Sequence, residues 1–419
     1  MIIVDLQTQE EDNQSSSMEE IKLLAETAGG KVIAEAQQKR EKIDPAYYIG
    51  KGKALELGTA MDEMAADLLV INGELSPTQL RNLENLIGGK IIDRTALILD
   101  IFARRALSRQ GRLQVELAQL NYLLPRLTGR GVQLSRLGGG IGTRGPGETK
   151  LEVDRRRIKK KISSLKKEIN EIRKHRDLHR KSRRDKGYLL VALVGYTNAG
   201  KSTLLNALTN SQVFTENKLF ATLDPAVREL PLESGENILL SDTVGFIKDL
   251  PPQLIEAFSA TLEELQEADL LLHVVDITSP ELGKLMSSVN EILSRLGIDE
   301  KQQVVIFNKI DALSNKEFAA LEQKLRRGYP SSVFISAEKM LGITELQEKI
   351  ESNLKSNEIR MKLFIPYDRW PSFHRLYEKG RVLKIEYQEQ YVQVEAEVKE
   401  KFAKELSSFE KGPQKSAQT

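Results

Sequence analysis

Apolar and polar positions along the first part of the chain switch repeatedly between two periods. Apolar runs at Ile2–Leu6, Lys31–Ala34, Asp67–Asn72 and Lys90–Asp93 predict strands, while stretches near Ser17–Ala28, Gly52–Met64 and Ser76–Leu86 carry the helical period. Strand and helix in such alternation predict a small parallel sheet with crossover helices over residues 1–105. From Thr95 to Leu127 the pattern is continuously helical. A second helix is expected from Glu148–Glu152 to about Lys186, with a heptad seam of Ile158, Ile162, Leu165, Ile169 and Ile172. Leu117, Leu120 and Leu124 offer the facing stripe, so residues 106–187 read as an antiparallel helical hairpin. Further apolar runs at Leu189–Val194, Ile238–Leu240, Leu270–Val275, Val304–Phe307 and Val333–Ile335 predict a larger sheet within 188–355. Residues 356–400 read as a β-α-β-β unit: strand Met361–Ile365, helix Asp368–Glu378, then the hairpin Val382–Tyr387 and Tyr391–Val398. Trp370, Phe373 and Tyr377 are expected in its core, and 401–419 as a disordered tail. The fold class is therefore α/β and multidomain: a Rossmann-like P-loop domain, preceded by the small parallel subdomain and the hairpin and followed by a small α+β domain.

Composition narrows the setting. Apolar residues are 40% and charged residues 29% of 419, the balance of a soluble globular chain. With no Cys, disulfides, thiol catalysis and Cys-ligated zinc are excluded, which suits a reducing cytoplasm. No apolar run is long enough for a membrane-spanning helix, and the N-terminus lacks the basic region of a signal peptide. The formal net charge is only +2, yet between Arg155 and Lys186 sixteen Lys or Arg residues face four acids. Between the two hairpin helices, Gly129, Gly131, Gly138, Gly139, Gly140, Gly142, Gly145 and Gly147 crowd a tip loop (129–148) that also carries Arg136 and Arg144. A cationic rod with a glycine-rich tip is suited to RNA phosphates, with Arg136, Arg144, Lys150, Arg155, Arg156, Lys159 and Lys160 as the contact residues. His175 and His179 sit one turn apart without a third ligand and read as solvent-facing. Gly50-Lys51-Gly52-Lys53 reads as a turn with solvated lysines rather than an anion site.

The chemistry lies in 188–355. Gly195-Tyr196-Thr197-Asn198-Ala199-Gly200-Lys201-Ser202-Thr203 follows an apolar strand and opens a helix, the context a phosphate-binding loop needs. Gly195 and Gly200 allow the tight turn, Lys201 reaches the β- and γ-phosphates, and Ser202 can ligate Mg²⁺. Phe220-Ala221-Thr222 follows. Thr222 is the expected switch threonine on Mg²⁺ and the γ-phosphate, with Thr215 the alternative. Asp242 ends a strand, where it can hold Mg²⁺ through water, and Gly245 can sense the γ-phosphate. The next position, where many GTPases carry a water-orienting Gln, is Phe246, which predicts slow intrinsic hydrolysis. Asn308-Lys309-Ile310-Asp311 selects guanine, since a carboxylate at Asp311 can accept from both N1–H and the 2-amino group. Ser336-Ala337 closes the set, the Ala337 amide being expected on guanine O6. The catalytic assignment is Lys201, Thr222 and Gly245, with GTP or GDP and Mg²⁺ as ligands.

With these residues in place, the chain resembles the HflX family of ribosome-associated translational GTPases. The resemblance rests on GRLQVELAQLNYLLPRL, GGGIGTRGPGETKLEVDRR, GYTNAGKST, FATLDP, SDTVGFIKDLP and NKID. It implies binding to the large (50S) ribosomal subunit in the GTP state, with the tip reaching towards the peptidyl-transferase region. It also implies GTPase stimulation by 23S rRNA and splitting of 70S ribosomes under stress or stalling. The expected partners are thus ribosomal, with no DNA target and a monomeric chain. A large-subunit assembly GTPase, a signalling G protein with a protein partner, and an RNA-binding protein with a vestigial nucleotide site are the rival readings.

Overall fold

The computed structural model describes residues 1–8, 14–127, 150–185, 188–209, 219–220, 226–233, 235, 237–247, 259–355 and 358–410. The tip loop 129–148 with Arg136 and Arg144, the switch residues Ala221, Thr222 and Thr215, and residues 411–419 lie outside them.

Strand β1 (Ile2–Gln7) is buried at every position, because it runs through the middle of a sheet covered on both faces. It pairs in parallel with β2 (Ala34–Lys39) and β3 (Leu69–Asn72), and β4 (Ile91–Asp93) follows, in the order β2-β1-β3-β4. The crossovers are α1 (Gln14–Thr27), α2 (Lys51–Glu63) and α3 (Pro77–Ile87). Helix α3 starts at a capping box between Ser76 and Gln79. β2 departs from expectation. It begins at Ala34, where the sequence pattern ended its strand, and alternates half-buried with exposed side chains. As an edge strand with AEAQQK it buries too little to leave an apolar signature.

The expected single helix from Thr95 to Leu127 is two: α4 (Arg94–Arg105) and α5 (Arg109–Arg126). Ala106 is extended, and the Ser108 hydroxyl accepts from the Gly111 amide at 2.9 Å to start α5 afresh. α5 and α6 (Lys150–Asp185) form the antiparallel hairpin, held by Glu116–Lys161 at 3.2 Å and Arg109–Glu168 at 3.5 Å. Leu165 is fully buried in the seam, while its heptad neighbours are half-buried.

The second sheet has the order β10-β9-β8-β5-β7-β6, with β5 (Leu190–Val194), β6 (Ala226–Pro231), β7 (Asn237–Asp242), β8 (Leu270–Asp276), β9 (Gln303–Asn308) and β10 (Val333–Phe334). All neighbours are parallel except β6, an antiparallel edge strand the sequence reading missed. Helices α7 (Lys201–Thr209), α8 (Ser259–Glu267), α9 (Leu282–Arg295), α10 (Asn315–Gly328) and α11 (Ile343–Lys355) accompany it. One apolar core is shared between the two sheets' units: Ile21, Leu24, Ile101 and Phe102 cluster with Ala192, Val194, Val244 and Phe246.

The third sheet is antiparallel, β11-β13-β12 (β11 Glu358–Pro366, β12 Gly380–Tyr387, β13 Tyr391–Lys399), with α12 (Trp370–Lys379) on it. Two expectations are corrected here. The tail does not begin at 401: α13 (Glu400–Leu406) places Phe402, Ala403 and Leu406 in the core of this sheet. Of the three aromatics assigned to that core, only Phe373 is buried. Trp370 is 37% and Tyr377 53% exposed, because the inward stripe of α12 is Phe373 and Leu376, and the other two rings cover Phe373 from outside.

Candidate nucleotide site

The phosphate-loop residues 195–203 join the carboxyl end of β5 to α7, at the edge where open parallel sheets bind ligands. Gly195 has φ +150°, and a Cβ there would meet the Val274 carbonyl oxygen at 2.2 Å. Gly200 has φ +93°, and its Cβ would meet Asn308 Nδ2, also at 2.2 Å. Asn198 adopts the left-handed region as well, at φ 63°. No other backbone would let β8 and β9 come this close to the loop.

Lys201 is buried, and its ammonium donates to the carbonyls of Gly195 (3.2 Å) and Tyr196 (2.8 Å). Burial pulls its pKa down to about 8, against the opposing pull of the Asp242 carboxylate. The Ser202 hydroxyl donates to Asp242 Oδ2 at 2.6 Å, so a hydroxyl and a fully buried carboxylate stand side by side. That is a hard-oxygen donor pair of the kind Mg²⁺ takes. Gly245 lies against this group: a Cβ would sit 2.8 Å from Thr197 Cα and 3.0 Å from Lys201 Nζ. Phe246 bridges to the loop through its backbone, accepting from Thr197 N (2.8 Å) and donating to Gly195 O (3.1 Å). Its ring is 4% exposed and belongs to the shared core. That ring therefore offers no hydrogen bond to a water.

Asn308 ties three sequence motifs together. Its Nδ2 donates to Ala199 O (2.9 Å), and its Oδ1 accepts from Ala337 N (3.0 Å). The Ala337 amide, expected to face a guanine oxygen, is thus committed to Asn308; a buried amide takes the nearest acceptor. Ser336 Oγ accepts from Lys339 N at 3.0 Å and shapes the same turn. Lys309, in the left-handed region at φ 68°, pairs with Asp276 at 2.7 Å. Asp311 stands in a short 3₁₀ turn with its carboxylate exposed.

Sequence reasoning missed the residues that reach this site from the first unit. Tyr196 of the phosphate loop donates through its hydroxyl to Glu20 of α1 at 2.6 Å, and Glu20 pairs with Arg94 of α4 at 3.0 Å. Phe220, expected at the nucleotide, is 2% exposed with its ring edge-on to Phe102 of α4 at 4.6 Å. His273 of β8 is buried beside a cavity of about 370 Å³ between α1, the phosphate loop and α9. Burial, with Lys201 nearby, holds its pKa down at about 4. No local pattern marks such contacts, since Tyr196 and Glu20 are 176 residues apart.

Among the expected RNA contacts, Arg155, Arg156, Lys159 and Lys160 lie exposed on α6, and Lys150 opens it. Not all of the rod's cations are so placed: Arg173, Arg180 and Arg183 turn onto Glu263 and Glu264 of α8.

A strand-loop-helix cradle, a serine–aspartate pair and an NKxD turn on one sheet edge define a P-loop guanine-nucleotide protein. Residues 15–103, 105–183 and 190–309 match family models described in turn as the N-terminal region of a GTP-binding GTPase, the middle region of a GTP-binding GTPase, and 50S ribosome-binding GTPase. GTPase HflX of Caldanaerobacter subterraneus subsp. tengcongensis is 49% identical over 97% of this chain and 93% of its own. GTPase HflX of Escherichia coli is 39% identical over 85% of this chain and 83% of its own. A GTP-binding protein of the archaeon Sulfolobus solfataricus, solved with GDP, aligns with 26% identity and a TM-score of 0.43 over 85% of this chain and 99% of that one. The chain belongs to the HflX family of GTPases.

Proposed function

We propose that this protein is a GTP-driven factor that binds the large ribosomal subunit and splits 70S ribosomes, as a stress or rescue factor. One observation carries the reading: the exposed cationic helix α6 ends at Asp185, and the strand bearing the phosphate loop begins at Leu190. A polyanion-binding rod and a nucleotide switch thereby share one root. Its curated relatives bear the name GTPase HflX, and residues 190–309 match the 50S ribosome-binding GTPase family, which supports the ribosome as partner.

In this reading Lys201 and the amides of 196–203 hold the phosphates, Asp311 reads guanine, and Asn308 braces the loop. Ser202, Thr222 and Asp242 hold Mg²⁺, which when bound neutralises phosphate charge. Gly245 and Thr222 report the γ-phosphate. With Phe246 in place of Gln, hydrolysis is slow until 23S rRNA orders the site. Arg136, Arg144, Lys150, Arg155, Arg156, Lys159 and Lys160 bind the rRNA. The setting is cytoplasmic and the acting species a monomer.

The test is sedimentation of 70S ribosomes with the protein and GTP, GDP or a non-hydrolysable analogue. Subunits are expected with GTP and the analogue and not with GDP. Binding should weaken steeply as salt rises, because phosphate contacts release counterions. Splitting that ignores the nucleotide would overturn the proposal. Preferential binding to immature particles would favour an assembly role.

The depressed pKa of Lys201 adds a pH dependence. Below pH 8 the ammonium is charged and ready for phosphate; above it a proton must first be taken up. Affinity for GTP is therefore expected to fall about fourfold from pH 7 to pH 8.5, read by calorimetry at constant ionic strength. A flat profile would place the lysine's titration elsewhere.

A further inference from the structure

The arginines at the root of the rod turn onto a neighbouring helix, Arg180 buried, Arg183 half-buried and Arg173 still exposed. Arg173, Arg176, Arg180 and Arg183 recur at intervals of three and four along α6 and so form one stripe. Arg180 Nη1 lies 3.0 Å from Glu263 and its Nη2 3.5 Å from Glu264; Arg173 reaches Glu263 at 3.0 Å and Arg183 reaches Glu264 at 3.5 Å. Both central partners are buried, the Arg180 and Glu264 side chains being 7% and 5% exposed. The opposite face of α8 is apolar, with Leu262 and Leu265 in the shared core. α8 is the first described helix after Asp242–Ile247, the segment that touches the phosphate loop. Its far end is stapled to the start of β5, where Asp269 accepts from Leu190 N at 2.9 Å and donates to Leu190 O at 2.7 Å.

Stability is a poor reason for this cluster. Burying charge is unfavourable unless every donor and acceptor is satisfied. Among the described residues, Arg180 Nε and Nη2 and Glu264 Oε2 lack hydrogen-bond partners. A buried ionic network left partly unsatisfied is easily shifted between arrangements, and register or switching is the best-attested use of such groups. Arginine suits it, since its rigid fork can hold two carboxylates on one helix at once.

We infer that Arg173, Arg180 and Arg183 with Glu263 and Glu264 form the joint through which α8 sets the angle of the cationic hairpin according to the bound nucleotide. These are positioning residues, touching neither nucleotide nor rRNA. The inference deepens the proposed function and rests on it for its purpose, but its test needs no ribosome. Because the chain has no Cys, Ser163→Cys and Lys324→Cys, both at exposed positions, place one spin label on the hairpin and one on α10. Their separation is then measured by double electron–electron resonance with GDP and with a non-hydrolysable GTP analogue.

The wild-type distance is expected to shift between the two nucleotides. Arg180→Gln, and separately Glu263→Gln with Glu264→Gln, should leave one distance for both, with affinity for each nucleotide within threefold of wild type. Arg180→Lys, which keeps the charge, should restore part of the shift. Combining all three neutral substitutions should add nothing to either set, as for parts of one device. A shift that survives in Arg180→Gln, or a wild type with no shift, would overturn the joint. Ribosome splitting without a shift would leave the function standing and the joint refuted. A shift lost in Arg180→Gln, in a protein that splits no ribosomes, would support the joint and sink the function.

Discussion

Asp311→Asn is expected to lower GTP affinity on the order of 10³-fold and to raise affinity for xanthosine triphosphate by a similar factor. The carboxylate is acceptor-only and ionised, so it can take hydrogen bonds from N1–H and the 2-amino group of guanine together, both charge-assisted. The amide of Asn has one acceptor and one donor group. Its donor would oppose the guanine amino group but match the C2 carbonyl of xanthine. Nothing in the fold opposes the change. Asp311 is exposed in its 3₁₀ turn, and the capping box that starts α10 is built by Ser314 and Glu317 instead. The melting temperature should stay put while the specificity ratio inverts. Competition binding with GTP, ATP and xanthosine triphosphate reads it; a variant that still prefers GTP would remove Asp311 from base recognition.

Gly200→Ala is expected to reduce affinity for all guanine nucleotides by at least about 100-fold while the chain stays folded. Two strains coincide there. The backbone sits at φ +93°, which L side chains rarely adopt, and the new methyl would fall 2.2 Å from Asn308 Nδ2. Relief requires Asn308 to leave the Ala199 carbonyl, and that movement also frees the Ala337 amide it holds. The phosphate loop and the base-reading turn would therefore fail together, though they lie far apart in the chain. Gly52→Ala is the matched control. It sits in α2 with nothing within 4 Å of the added methyl, so nucleotide affinity should not change and stability should hold or rise slightly. Equal effects from the two substitutions would show that Gly200 is not special.

Much of this site was legible in the sequence because it depends on local rules. β5 and β8 are apolar on both faces and announce themselves as continuous runs, and the turns between strand and helix carry their chemistry in consecutive residues. Edge strands were not legible. β2 and β6 bury one face at most, so AEAQQK and AVRELP look like any polar stretch. The break before α5 turned on one hydroxyl, Ser108, inside an otherwise unbroken helical period. α13 was read as tail because a short helix leaves little periodicity, although Phe402 and Leu406 are the residues that pack it. The charges of the rod teach most. Sixteen cations in one segment raise the expectation of a polyanion partner. Which of them are spoken for inside the molecule depends on α8, a helix whose acids sit more than seventy residues further on and carry no mark of their target.

The core that joins Phe102 to Phe246 and Phe220 has a bearing on how the molecule comes apart. Each of the two sheets has an apolar cluster of its own as well, but the oil they share couples one to the other, so heat should melt them as one cooperative block. The antiparallel sheet near the C-terminus, which keeps its own cluster around Phe373 and Val394, is free to melt by itself.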